Sequence, residues 1–191
     1  MVTALATLVS LSLAGCAPTL TSSASQWSAA DSQEQSIATE TVSIAALHVA
    51  VPMGWEDVSR SEATEVYPVA YSGHGKGGAT GTLRFSPDYH EAATVSEAVT
   101  QVSEPDAAAH TQQSITGATV QPGEPYPGAV TARTAERFYT SDAGTDMVAH
   151  WWFLEDEKTG AIYAVEYRGE DTDESTALIE AIDASIRLGD A

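Results

Sequence analysis

The sequence predicts an α+β domain, a single antiparallel β-sheet flanked by helices, held behind an N-terminal export segment. Three observations predict it. Short runs of alternating apolar residues recur along the chain, and the last three are joined by links with hairpin turn chemistry. Two further segments show helical spacing of apolar residues. The resulting order of strands, helix, three-stranded meander and helix suits an antiparallel sheet with helices packed on it.

The N-terminus comes first. Residues 1–14 carry no charged side chain and are apolar through Ala4-Leu5-Ala6-Thr7-Leu8-Val9 and Leu11-Ser12-Leu13-Ala14. This run is shorter than the roughly 20 apolar residues of a membrane-spanning helix. It matches a signal-peptide core that ends in small residues. No Lys or Arg precedes it, which points to translation starting upstream of Met1. Leu13-Ala14-Gly15-Cys16 resembles the lipobox of bacterial lipoproteins, and Cys16 is the only cysteine. By that resemblance the Cys16 sulfur receives diacylglycerol, the chain is cut before Cys16, and the new amine is open to acylation. Two or more acyl chains anchor a protein stably where one does so only marginally.

Residues 1–15 therefore read as a lipoprotein signal peptide and 16–39 as the lipidated cysteine with a flexible tether. The tether is rich in Ser, Thr, Ala and Gln, has Trp27 as its one large aromatic, and spans about 25–30 Å on average. Residues 40–191 read as the folded domain, large enough to bury about 68–70% of its unfolded surface.

Within the domain, 46–51 alternates with Leu47, Val49 and Val51 on one face and reads as a strand. Pro52-Met53-Gly54-Trp55 turns the chain. A second strand is read over 65–71, where Pro68 points to an edge position, and Gly73-His74-Gly75-Lys76-Gly77-Gly78 leads into a third over 79–86. Thr94 and Glu97 have capping-box spacing ahead of Val95, Ala98, Val99 and Val102, which predicts a helix ending before Pro105. A short helix or turn is read over 106–110 and a strand over 113–120. Strands are then predicted over 129–139, 147–155 and 161–168. A closing helix is predicted over 174–188, capped by Asp173 and stopped by Gly189.

Formal net charge is −19, all of it beyond the segment that would be removed. Such a surface repels phosphates and anionic lipid head groups, which excludes nucleic acid as a partner. With Cys16 consumed no disulfide remains, so stability rests on a packed core, for which the domain over 40–191 carries three of the four Trp and all seven Tyr.

The turn Val49-Ala50-Val51-Pro52-Met53-Gly54-Trp55, the helix from Thr94 to Val102, the Pro127-Gly128-Ala129 entry to a long strand, and Ala184-Ser185-Ile186-Arg187 resemble the LpqN-type lipoproteins of actinobacteria. These share a fold group with the PsbP subunit of photosystem II and a yeast Ran-binding import factor. The resemblance covers about residues 41–188. It implies a PsbP-like α/β/α sandwich and a binding or assembly role, with no catalytic residues to carry over.

Candidate sites are few. The glycine loop departs from a phosphate-binding loop, because Gly75-Lys76 is followed by glycine and a strand rather than by Ser or Thr and a helix. His48, His74, His90, His110 and His150 show no zinc-ligand spacing. The acidic runs Glu155-Asp156-Glu157 and Glu170-Asp171-Thr172-Asp173-Glu174 lack calcium-loop spacing and read as a solvated turn and a helix N-terminus. There is no Gly-x-Ser-x-Gly elbow. Trp151 and Trp152 point to opposite sheet faces and are both core if both faces carry helices. Trp152 and His150, on one face of the same strand, are the binding candidates if that face is open.

The expectation is a lipid-anchored protein on the extracytoplasmic face of the cell membrane. It is a non-catalytic binding or assembly module without cofactor or metal, whose partner is an envelope protein or a small apolar ligand. The rival readings are a lipid or small-ligand carrier with an apolar pocket, and an envelope hydrolase with a scattered site.

Overall fold

The computed structural model describes residues 37–73, 80–103 and 126–189. Cys16, Trp27, His74, His110, Gly75 to Gly78 and the elements expected over 106–110 and 113–120 lie outside the described residues. The compact unit runs from Gln35 to Ala191. In chain order the elements are β1 (Thr39–Ile44), β2 (Leu47–Pro52), β3 (Glu56–Asp57), α1 (Ser59–Glu62), β4 (Val69–Gly73), β5 (Gly81–Ser86), α2 (Val95–Ser103), β6 (Ala129–Thr140), β7 (Asp146–Asp156), β8 (Ile162–Glu170), α3 (Asp173–Ser185) and β9 (Arg187–Leu188).

The strands form two antiparallel sheets rather than the single sheet expected. One has the order β1-β2-β9 and the other β3-β4-β5-β8-β7-β6. The physical reason lies in β2. Its partners are β1, along its whole length, and β9, which pairs only at Leu47 and His48. Further along, the Ala50 N–H donates to Ser185 Oγ at 2.8 Å, so the end of α3 takes a position that a meander strand would need.

The meander over β6, β7 and β8 is close to its predicted bounds. Alternation along it builds two cores. Val148, Trp152 and Leu154 of β7 with Tyr163, Val165 and Tyr167 of β8 pack toward α3 and β2 through Leu178, Ile182, Val49 and Val51. Ala149, Trp151 and Phe153 with Ile162 and Ala164 pack on the other face against Val95, Ala98 and Val99 of α2. The α2 cap forms as expected. The Glu97 N–H donates to Thr94 Oγ1 at 3.1 Å, and the Glu97 carboxylate accepts from the Ala93 N–H.

The closing helix departs from its expected ends. Thr172, not Asp173, is the cap, accepting from the Ser175 N–H at 3.2 Å. The helix stops at Ser185 because Ile186 turns extended and Leu188 joins β2. The second strand begins at Val69 rather than residue 65, just after Pro68. Its outer neighbour among the described residues, β3, is two residues long.

The β1–β2 hairpin turns at Ala45-Ala46, and Ala45 sits at φ +52°. A side chain with a Cβ is strained there, and tight hairpins usually place Gly or Asn at such positions. Ala45→Gly is expected to raise the unfolding free energy by about 1 kcal/mol, the relief of strain exceeding the added chain entropy. Urea denaturation measures it; a lowered midpoint contradicts the strained turn.

Candidate functional site

The α3-facing side of β7 carries the two residues singled out from the sequence. Trp152 is 0% exposed. Its indole N–H donates to Asp183 Oδ1 of α3 at 2.8 Å. The Tyr126 hydroxyl donates to the same oxygen. Burial first, and then the Asp183 carboxylate, push the Tyr126 phenol up from its ordinary range. His150 stacks on the Trp152 ring with centroids 4.2 Å apart, and its Nδ1 lies 3.4 Å from Glu136 Oε1. Its side chain is 15% exposed.

The structure thus brings His150 and Trp152 together and joins them to Glu136, Asp183 and Tyr126, which sequence reasoning missed. Trp152 is core, as is Trp151 on the opposite face, so neither forms an open aromatic patch. Among the described residues no group of three or more His, Cys, Asp or Glu is placed to hold a metal ion. None of their helices is long and apolar enough to cross a membrane.

The α2-facing side holds a second polar centre. Glu166 is 1% exposed, and its register partners are Arg84 on β5 and Trp151 on β7. Arg84 Nε lies 2.8 Å from Oε2. Arg168 Nε and Nη2 lie 2.7 and 2.6 Å from Oε1, which also accepts from the Trp151 indole N–H at 3.0 Å. Arg137 lies over the Trp151 ring and donates to the Val102 carbonyl in the last turn of α2. Tyr67, beneath the Arg84 guanidinium, has its phenol pushed up by burial and then by the Glu166 charge. The Glu166 carboxylate is paired with Arg84 and Arg168, and the arrangement ties β5, β7 and β8 together.

A pocket of about 250 Å³ opens at the turn end of the sheets, between Ala46, Gly128, the 156–159 turn, Tyr163 and Leu188-Gly189. Backbone bonds tie these segments. The Gly189 N–H donates to Ala46 O at 2.9 Å, Leu188 N–H to Pro127 O at 2.7 Å, and Glu157 N–H to Gly128 O at 3.1 Å. Gly128 has φ +81°, and a Cβ on it would lie 2.1 Å from the Leu188 carbonyl oxygen, so only glycine fits.

The expectation of a solvated turn over Glu155-Asp156-Glu157 is corrected at its centre. Asp156 is buried, and its Oδ1 accepts from the Lys158 N–H at 2.9 Å, the Thr159 N–H at 2.7 Å and the Thr159 hydroxyl at 2.9 Å. Burial alone would raise its pKa. The hydrogen bonds from Thr159 and Lys158, with the Lys158 charge, outweigh it and hold the carboxyl below the ordinary carboxylate range. The Tyr163 hydroxyl makes no hydrogen bond among the described residues.

Of the other sequence candidates, His48 is half-buried with its Nδ1 2.8 Å from Ser43 Oγ, and His90 is exposed beside Glu91. Asp173 and Glu174 occupy the first turn of α3, as expected.

No protein-family model matches the chain, and no curated protein matches it. Solved structures do. A variant of the protein Mog1 is 14% identical, with 81% of this chain and 98% of that chain covered at a TM-score of 0.49. The Ran-binding protein Mog1p of Saccharomyces cerevisiae is 12% identical, with 81% and 97% covered at 0.49. LpqN of Mycobacterium tuberculosis, involved in cell envelope biogenesis, is 14% identical, with 80% and 91% covered at 0.45.

Proposed function

We propose that this chain is a lipid-anchored protein of the extracytoplasmic membrane face whose α+β domain binds a partner or ligand rather than catalysing a reaction. The observation that carries the reading is the sole cysteine, Cys16, closing an apolar run in Leu13-Ala14-Gly15-Cys16 ahead of a Ser/Thr-rich stretch. An acyl anchor there gives a strongly acidic body a fixed address, while its charge keeps it off anionic head groups.

Binding is favoured over hydrolysis by the use the fold makes of its polar groups. The buried carboxylate of Glu166 is neutralised by arginines, and Asp156 holds a turn. His150 is stacked on a core indole rather than set beside a nucleophile.

Cys16→Ala in the full-length chain, expressed in a bacterium that processes lipoproteins, is expected to move the protein from the membrane fraction to the soluble fraction. Fractionation and intact-mass measurement check it. Unchanged membrane retention, or a wild-type mass showing no diacylglycerol, overturns the anchor.

A further inference from the structure

We propose that the pocket between Ala46, Gly128, the 156–159 turn and Tyr163 binds a compact hydroxylated amine of about monosaccharide size. The inference rests on the binding reading above and is independent of the anchor.

Size comes first. About 250 Å³ is below the roughly 300–1,000 Å³ typical of pockets for drug-sized ligands, and it suits a molecule of about a dozen heavy atoms. The walls then set the chemistry. Asp156 lines the pocket, and all three of its turn bonds fall on Oδ1, which leaves Oδ2 outside the turn's hydrogen bonding. Glu157 adds a second carboxylate and Lys158 one positive charge, so the rim is net negative. The chain's charge of −19 adds a field that gathers cations and repels anions.

Tyr163, only 6% exposed as a residue, lines this space, and its hydroxyl makes no hydrogen bond among the described residues. Water reaches this hydroxyl, and a ligand hydroxyl entering the pocket takes the place of that water as its partner. Ala46 and Leu188 offer apolar surface to the ligand's carbon skeleton.

The site is also built rather than incidental. Three positions with positive φ, Ala45, Gly128 and Gly160, stand in or next to the segments that shape it. One of them is a strained alanine, and such strain clusters at ligand sites. The backbone bonds joining its segments fix its shape before any ligand arrives, which limits the ordering cost of binding.

The test titrates isotope-labelled full-length protein with glucosamine and follows amide chemical shifts. Shifts are expected at Ala46, Gly128, 156–159, Tyr163 and Leu188 with a dissociation constant on the order of 1 mM. Glucose, lacking the ammonium, is expected to bind about fivefold more weakly, and gluconate not to bind. Tyr163→Phe is expected to keep the wild-type unfolding midpoint and weaken glucosamine about fivefold. No localised shifts up to about 50 mM, gluconate binding equal to glucosamine, or the same affinity in Tyr163→Phe each overturns the proposal. Failure here leaves the membrane fractionation of Cys16→Ala unaffected, so the two readings fall separately.

Discussion

Trp152→Ala is expected to lower the unfolding free energy by about 3–5 kcal/mol, the range for deleting a large core aromatic. The ring is fully buried between β8 and α3, beside Val165, Leu178 and Ile182. Its removal leaves a cavity, takes the stacking surface from His150 and takes an N–H donor from Asp183. Against a typical total of about 5–15 kcal/mol, that loss unfolds an appreciable fraction of the protein at physiological temperature. Urea denaturation followed by far-ultraviolet circular dichroism measures it without depending on tryptophan emission. Trp152→Phe keeps most of the apolar volume and is expected to cost about 1–2 kcal/mol. If Trp152 instead formed an open docking surface, Trp152→Ala would change stability by no more than about 0.5 kcal/mol. That result sinks the core assignment.

The meander was legible because its signals were local. Gly144 and Gly160, both at positive φ, mark its two hairpin turns, and the strand runs between them alternate with few interruptions. The α2 cap was equally local, since Thr94 and Glu97 are three residues apart. The division into two sheets was not legible, because it depends on a bond across 135 residues, from Ala50 to Ser185, and on a two-residue strand at the end of α3. β1 went unrecognised because only Val42 and Ile44 alternate within a polar, half-exposed strand.

The same distinction governs the sites. His150 and Trp152 were paired correctly from strand period alone, yet Asp183 and Tyr126 reach Trp152 from elements far away in sequence. The turn-end pocket assembles four chain segments, and none carries a motif. Its readable traces are the acidic run Glu155-Asp156-Glu157 and Pro127-Gly128, where glycine is required by the Leu188 carbonyl pressed against it.

Arg84→Met is expected to cost about 3–5 kcal/mol, because it leaves the Glu166 carboxylate buried without the guanidinium at its Oε2. Arg168 stays on Oε1 but is 48% exposed, so solvent screens it and it compensates only partly. The stacking of Arg84 over Tyr67 is lost as well. The double variant Arg84→Met with Glu166→Leu removes charge and counter-charge together. Its residual penalty is the unpaired Trp151 indole N–H, about 1–3 kcal/mol, together with the Arg168 guanidinium, which loses Glu166 but is 48% exposed and is served by water; the apolar contact that Leu and Met gain offsets part of it. The double variant is therefore expected to be more stable than Arg84→Met alone, although it carries one substitution more. Urea midpoints of the four proteins in a double-mutant cycle decide it. Additive losses would mean that Glu166 is served by solvent or by Arg168 alone. A strongly non-additive cycle would place the Arg84–Glu166 pair inside the core that fixes β5 against β8, and would explain why a chain with only eight basic residues keeps one of them turned inward.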